Sequence, residues 1–212
     1  MKNSPILSCI FLSVIFCPMA LKAAELKFDT VPVRAKHADF FSGTMPRLQG
    51  AGFNALNRMI QKDLYAQFDQ DVARIVLDSR KIYQDPQYLS FEVFREASGG
   101  TMSYKAMYYS IDLKQKKLLH LQPYLDQHQL SSQHIQQALA DYVTPCLSDA
   151  PPDYCEDMAL QSLLHSATLD PDFFNINNSN SFYLKKGILG LNFASTKYTY
   201  AFEYDLKSQR IL

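Results

Sequence analysis

Three carboxylates lie close together in the sequence, around the second of two cysteines in the C-terminal half of the chain. Asp153, Glu156 and Asp157 flank Cys155. Two carboxylates at short range can act as the acid and the nucleophile or base of a glycoside hydrolase. Acidic residues are also favoured in the first turn of a helix, where they face the positive end of the helix dipole. We favour a helix start and keep an uncharacterised hydrolase as an alternative function.

The histidines form no recognisable catalytic or metal-binding motif. They are His37, His120, His128, His134 and His165. His128 and His134, six residues apart in sequence, could contribute to a zinc site, but this spacing is more typical of solvated surface histidines. The sequence also has no G-x-S-x-G, G-x-x-x-x-G-K or G-x-G-x-x-G motif. We therefore expect a non-enzymatic protein without a metal ion or cofactor.

The positions of the cysteines predict one disulfide. Cys9 and Cys17 lie in an apolar N-terminal segment that we predict to be a cleaved signal peptide. Its removal leaves Cys146 and Cys155. Both flank a proline-rich loop in a chain that we expect to enter an oxidising compartment, which predicts a Cys146–Cys155 disulfide. A redox-active pair is the alternative, but such pairs typically have C-x-x-C spacing.

The first 24 residues have the layout of a secretory signal peptide. Lys2 gives a positive start, residues 6–21 are almost entirely apolar, and Ala23-Ala24 provide a small-residue cleavage site. A membrane anchor is an alternative, but a spanning helix needs about 20 apolar residues. Lipidation at Cys17 is another, but the small residues of a lipobox are missing before it. We predict that 1–24 is a cleaved signal peptide and that the mature protein is soluble and periplasmic.

The charge of the mature chain bears on its partners. Cleavage would leave 19 basic and 21 acidic residues, a formal charge of −2. Binding to nucleic acid depends on neutralising phosphates, so a near-neutral chain without a basic block argues against a nucleic-acid partner. No later stretch is apolar enough to span a bilayer, and no membrane partner is expected after cleavage.

Apolar periodicity predicts the elements that would position these residues. Strands are expected at 25–36, 89–93, 107–113, 118–121, 182–185, 188–193 and 197–204. Phe53, Leu56, Ile60, Leu64 and Phe68 recur at helical spacing and predict an amphipathic helix. Ser131 predicts the start of a second helix, 131–143. We predict a single α+β domain over 25–212, with an antiparallel sheet packed against the long helix at 53–68 and one disulfide.

Two regions are candidates for a binding surface. Loop tips on a rigid sheet often carry binding residues, and the predicted hairpin near residue 100 has such a tip. Its candidate residues are Gly99, Gly100, Thr101, Met102 and Tyr104, with the disulfide loop as a second contact. The second region is the aromatic face of the last strand, formed by Tyr198, Tyr200, Phe202 and Tyr204. That face is either a core face or an exposed platform for a sugar or a protein.

The segment from Tyr88 to Leu125 resembles a widespread extracytoplasmic α+β domain of unknown function. Leu89-Ser90-Phe91, Gly99-Gly100, Tyr108-Tyr109, Asp112-Leu113-Lys114 and 119–125 follow that family's order of motifs. The C-terminal hairpin, with Phe182, Gly187, Leu189, Phe193 and Tyr200, is similar to the family's closing hairpin. The domain is best known from RsiV-type anti-sigma factors, which bind lysozyme, and from the N-terminal part of some peptidoglycan deacetylases.

The resemblance implies an exported binding protein that acts at the cell envelope. Its sharpest form is a protein that binds or inhibits a lysozyme-type muramidase, and a cell-wall glycan is another possible ligand. An immunity protein that neutralises an exported toxin would have much the same sequence features and is kept as an alternative. The ligand and the oligomeric state are left open by the sequence.

Overall fold

The structure, a computed structural model, describes residues 26–33, 40–66, 74–179 and 181–212. The predicted signal peptide lies outside the described residues and stays a prediction. Among the described residues, none of the helices is both long and apolar enough to cross a bilayer.

The first half of the chain builds a curled six-stranded sheet whose strands follow one another in chain order. They are β1 (Lys27–Pro32), β2 (Phe41–Gln49), β3 (Arg74–Gln84), β4 (Tyr88–Ser98), β5 (Met102–Asp112) and β6 (Lys117–Leu118). The β2–β3 pair is parallel and the other pairs are antiparallel. Parallel neighbours need a crossover connection. Helix α1 (Asn54–Ala66) lies in the connection between β2 and β3.

The last part of the chain forms a second, antiparallel sheet. Its strands are β7 (Ser181–Lys185), β8 (Ile188–Ala194), β9 (Thr199–Asp205) and β10 (Arg210–Ile211), in the spatial order β10-β9-β8-β7. Three helices separate the two sheets along the chain: α2 (Leu121–Gln127), α3 (Ser132–Val143) and α4 (Met158–Leu169). As predicted, Ser131 caps α3, because its side chain accepts a hydrogen bond from the backbone N–H of His134.

The predicted disulfide is confirmed. Cys146 and Cys155 are bonded, with their Cα atoms 5.4 Å apart. Each lies in a short 3-10 turn between α3 and α4, and Cys155 is fully buried. The disulfide thus ties together the two turns of the connection between α3 and α4.

Each sheet has its own apolar cluster. Leu56, Ile60 and Leu64 of α1 join the first cluster, together with the inward face of β3, β4 and β5. The second cluster contains the apolar residues of α2, α3 and α4 and of the second sheet. Strand β8 is buried over Leu189–Phe193 on both faces. Its apolar side chains pack in the second cluster with the helices, and its other face contacts β5 of the first sheet.

The predicted fold class is wrong. The described chain is β-rich, 42% strand and 32% helix, with two sheets and four short helices, and no long amphipathic helix packs on a single antiparallel sheet. The prediction failed because a period of two marks a strand and its faces, but it does not say which sheet the strand joins. The described part of the first helix ends at Ala66, and Phe68 lies outside the described residues.

Candidate functional site

The two sheets meet along the outer edge of β5. The two-residue strand β6 pairs only with Ile111 and Asp112, so most of this edge has no strand beside it. Groups from the second sheet and its turns bond to the edge instead. The bonds are Tyr104 N–H to Lys197 O (2.7 Å), Ala106 N–H to Thr199 Oγ1 (2.7 Å), Tyr108 N–H to Ser181 Oγ (3.1 Å) and Asn192 Nδ2 to Ala106 O (3.0 Å).

A cleft of about 500 Å³ runs along this junction. Its polar lining comes from Asp63 of α1, Lys105 and Ser110 of β5, His120, and Asn192 and Thr199 of the second sheet. Clefts of about 300–1,000 Å³ are typical of small-molecule sites. The volume of the cleft falls within this range. Its polar lining combines hydroxyl and amide groups with the carboxylate of Asp63 and the ammonium group of Lys105.

On the opposite face of the β4–β5 hairpin from Lys105, three aromatic rings stack into a surface strip, called the aromatic strip here: Phe94, Tyr104 and Tyr198. The ring centroids of Phe94 and Tyr104 are 6.3 Å apart, and those of Tyr104 and Tyr198 are 6.0 Å apart, with interplanar angles of 23° and 16°. Phe94 is 38% exposed, and the other two rings are partly exposed. A single parallel β-bridge between Tyr104 and Tyr198 holds the hairpin against the turn before β9.

The predicted binding residues lie at one end of this strip. Gly99, Gly100 and Thr101 form the exposed turn between β4 and β5, and Met102 begins β5 with 47% of its surface exposed. The Tyr104 hydroxyl lies 3.6 Å from the Met102 sulfur. The structure therefore brings Met102 and Tyr104 together with Phe94 and Tyr198, while the glycines provide the turn.

The predicted aromatic face of the last strand is divided. Phe202 and Tyr204 are buried in the second cluster, at 1% and 3% exposure. Tyr200 packs against that cluster, whereas Tyr198 belongs to the partly exposed aromatic strip. The core interpretation therefore holds for one end of the strand, and surface exposure applies to the other.

A charged layer lies between the sheets on the opposite face of β4 and β5 from the first cluster. Glu92 is only 5% exposed, pairs with Arg80 of β3 and accepts a hydrogen bond from the Tyr108 hydroxyl at 3.1 Å. Burial and the neighbouring Glu92 carboxylate raise the pKa of Tyr108, so this hydroxyl stays protonated and remains a donor.

The second sheet contributes a matching arrangement. Glu203 accepts hydrogen bonds from the Tyr183 hydroxyl and from Lys185. The Tyr183 and Tyr108 rings are 4.7 Å apart, so the two tyrosines join the two ion-paired carboxylates across the sheets. Each carboxylate has a cation and a tyrosine hydroxyl as partners. This pairing suits a structural link between the sheets.

The carboxylates near Cys155 are not brought together as a catalytic pair by any described contact. Asp157 caps α4, because its Oδ1 accepts hydrogen bonds from the backbone N–H groups of Ala159 (2.8 Å) and Leu160 (3.0 Å). Asp153 and Glu156 lie in the preceding 3-10 turn and are exposed. The helix-start interpretation is therefore confirmed for Asp157.

The histidines proposed as an alternative zinc pair do not form a described metal centre. His128 Nε2 lies 2.8 Å from the Tyr88 hydroxyl, and its ring packs against Tyr124. Within the described ranges, no group of three or more His, Cys, Asp or Glu side chains is placed to hold a metal ion. The contacts of His128 are those of a packed aromatic cluster.

Sequence reasoning missed Phe94, Arg95 and Lys105. Phe94 and Arg95 are neighbours on β4, and Lys105 lies directly opposite Arg95 on β5. The strand alternation was visible in the sequence, but the register of the hairpin was not, and the register decides which residues of the two strands meet.

One of the comparisons with known proteins supports the fold. No protein-family model matches the sequence, and no curated protein matches it. A DUF3298 family protein from Pseudomonas aeruginosa PAO1 has a similar structure, with a TM-score of 0.51, 10% identity, and coverage of 90% of this chain and 96% of that one. A DUF3298 family member from Bacteroides fragilis NCTC 9343 has a TM-score of 0.48 at 12% identity, covering 90% and 95%.

The likeness to the Pseudomonas protein shows a shared fold. It supports the part of the predicted resemblance that named a domain of unknown function. The finer relationship, to RsiV-type anti-sigma factors or to peptidoglycan deacetylases, stays a prediction.

Proposed function

We propose that this chain is an exported, non-enzymatic binding protein of the cell envelope and that its aromatic strip docks on a protein partner, first of all a lysozyme-type muramidase. The observation that carries the proposal is the strip itself, in which exposed Phe94 stacks with partly exposed Tyr104 and Tyr198 beside a tight hairpin. Aromatic side chains are enriched at protein interfaces, where they supply a large contact area at low entropic cost.

The strip is suited to docking because its rings are already ordered in the free protein. Tyr104 is fixed by ring stacking on both sides and by the backbone hydrogen bond from its N–H to Lys197 O. A preordered side chain loses less conformational entropy on binding, so more of its contact energy contributes to affinity. Exposed Met102 extends the surface with a flexible side chain that can adapt to a partner.

The choice of partner follows from the resemblance of residues 88–125 to the domain found in lysozyme-binding anti-sigma factors. The hairpin that carries the resemblance also carries Phe94, Met102 and Tyr104 of this surface. A muramidase acts on the cell wall, which fits the predicted export of the chain.

The test is a calorimetric titration of the purified protein with a c-type lysozyme, with cell-wall lysis measured in parallel. We expect micromolar or tighter binding and slower lysis. We expect Tyr104→Ala to weaken binding at least about 10-fold, as truncation of a central interface tyrosine does.

The matched control is Leu169→Ala. Leu169 ends α4, is 78% exposed and has no place in the aromatic strip, so its truncation should leave affinity unchanged. Equal affinity of both variants would remove the aromatic strip as the docking surface. The absence of heat and of any effect on lysis would remove the muramidase as the partner.

A further inference from the structure

Two cations face each other across the β4–β5 hairpin. Arg95 and Lys105 are directly opposite in the strand register and therefore project from the same face of the sheet. Both side chains belong to residues that are partly buried. Like charges placed directly opposite on neighbouring strands destabilise a sheet. Such a pair lowers the stability of the sheet unless a negative group lies between or beside the two cations.

No carboxylate of the described residues pairs with either cation. Over 26–33, 40–66, 74–179 and 181–212, neither Arg95 nor Lys105 forms an ion pair or a side-chain hydrogen bond. Arg95 Nε is buried and has no acceptor, and a buried donor left unpaired costs about 1–3 kcal/mol. Burial, and then the charge of Arg95, lower the pKa of Lys105, as expected for an ammonium group without a counterion.

The only other unpaired buried side-chain atom among the described residues lies at the cleft that Lys105 lines. It is Oδ1 of Asn192, whose amide nitrogen donates to Ala106 O and to Ser181 Oγ. Lys105 and Asn192 both line the cleft between the sheets. An unpaired ammonium group and an unpaired amide oxygen therefore line one cavity, and Arg95 lies directly opposite that ammonium group's strand position on β4.

The lining of the cleft indicates the chemistry of a ligand. Besides Lys105, it presents the hydroxyl or amide groups of Ser110, Ser181, Asn192 and Thr199, which suit the hydroxyls of a small polar molecule. Asp63 also lines the cleft and accepts a hydrogen bond from the Tyr109 hydroxyl at 2.6 Å. A negative charge already present disfavours a doubly charged phosphate more than a singly charged carboxylate.

We propose that this cleft binds a small hydroxylated carboxylate, such as an acid sugar, with the carboxylate held by Lys105 of the lining and by Arg95, directly opposite Lys105 on β4. An arginine fork and a lysine ammonium can together satisfy both oxygens of a carboxylate. The site lies on the opposite face of the β4–β5 hairpin from the aromatic strip, since neighbouring residues of a strand project to opposite faces, and it does not depend on a protein partner.

The test uses thermal unfolding and calorimetric titration of the purified protein at low ionic strength. The probes are D-glucuronate, D-glucose as the matched neutral sugar, and inorganic phosphate. We expect glucuronate to raise the melting temperature and to bind with release or uptake of heat, and glucose to do neither. A response to glucose equal to that for glucuronate, or a stronger response to phosphate, would overturn the proposal.

Two single variants and one control locate the site. Arg95→Gln and Lys105→Gln should each weaken glucuronate binding at least about 10-fold, the usual scale for losing one charged hydrogen bond. Lys114→Gln, in the exposed turn after β5, should bind as the wild type does. Undiminished binding by both cleft variants would place glucuronate elsewhere.

A stability measurement without ligand distinguishes two cases: the cations are unpaired in the free protein, or a carboxylate of the chain already pairs with Lys105. If the two cations are unpaired in the free protein, Lys105→Gln removes a repulsion and leaves the free protein at least as stable as the wild type. If a carboxylate of the chain already pairs with Lys105, the variant loses stability, and the proposal is wrong.

Discussion

At the scale of single residues, Gly190 shows how the absence of a side chain determines an arrangement of polar groups. The Tyr183 ring lies over Gly190, and a Cβ atom built at Gly190 would be 2.2–2.5 Å from three atoms of that ring. The ring position lets the Tyr183 hydroxyl reach Glu203, because Tyr183, Gly190 and Glu203 are in register across β7, β8 and β9. The glycine is therefore needed for the link between the sheets.

We predict that Gly190→Ala lowers the free energy of unfolding by about 1–3 kcal/mol, the usual cost of overpacking a filled site. Urea denaturation followed by circular dichroism measures this. The matched control is Gly100→Ala, where an added Cβ meets nothing within 4 Å and the change should stay within about 0.5 kcal/mol. Equal stability of the two variants would contradict the packing of Tyr183 on Gly190.

Glu203 provides a prediction for pH. Burial alone would raise the pKa of Glu203, but its hydrogen bonds from Lys185 and Tyr183 outweigh burial and lower the pKa below the ordinary value of 4.5. A carboxyl whose folded pKa is lowered adds stability above its unfolded pKa and loses it as the pH falls through the folded value. The urea midpoint of the wild type should therefore fall below about pH 5.

The variant Glu203→Gln isolates this contribution because glutamine does not titrate. Its urea midpoint should lie below that of the wild type at neutral pH, and the two should converge as the pH is lowered. A difference that stays constant between neutral and acidic pH would show that the charge of Glu203 does not contribute.

At the scale of elements, strand β7 is attached to the first sheet by two buried serines. Ser90 Oγ accepts a hydrogen bond from the N–H of Leu184 at 2.9 Å, and Ser110 Oγ donates to Phe182 O at 3.0 Å. The two serine hydroxyls are also 2.9 Å apart. Both serines are almost fully buried, so their bonds are shielded from competing water.

We predict that Ser90→Ala costs about 1–3 kcal/mol, because it leaves the buried Leu184 N–H without this acceptor. Ser103→Ala, on the neighbouring strand and only partly buried, should change stability by less than about 0.5 kcal/mol. Chemical denaturation of the two variants makes the comparison. A neutral Ser90→Ala variant would show that the serine pair does not hold β7 in place.

The disulfide acts on the connection between α3 and α4. It closes a loop of sequence separation 9, for which the chain-entropy model gives about 2–3 kcal/mol of stabilisation. We predict that the double variant Cys146→Ser, Cys155→Ser loses about this amount, and that reducing the wild type has the same effect. A thiol titration of the unfolded wild type should find no free thiol from this pair. Undiminished stability of the double variant would contradict a structural role.

Local elements could be predicted from the sequence, but their assembly could not. The Ser131 cap of α3, the helix start at Asp157 and the Cys146–Cys155 pair each depend on residues a few positions apart, and each is present. The division into two sheets depends on contacts such as that of Ser90 with Leu184, 94 residues apart. No local pattern encodes such a contact, and this is why the predicted single antiparallel sheet is wrong.

At the scale of the whole molecule, the two sheets are joined by polar contacts. The outer edge of β5, the serine pair at β7 and the layer from Arg80 to Lys185 link two separate apolar clusters. The aromatic strip and the cleft both lie along this junction, because Tyr104 and Lys105 are on β5 while Tyr198 and Thr199 belong to the second sheet and the turn before it. Part of this site was predictable from the sequence, namely the hairpin tip with Met102 and Tyr104, and Tyr198 as a member of a candidate aromatic face.

The most direct test of the docking proposal is hydrogen–deuterium exchange of the protein with and without a c-type lysozyme. The proposal predicts that lysozyme slows the exchange of amides at 99–104 and 195–198 and leaves those of α4 unchanged. Protection confined to α4 or to the disulfide loop, or no protection anywhere, would contradict docking on the aromatic strip.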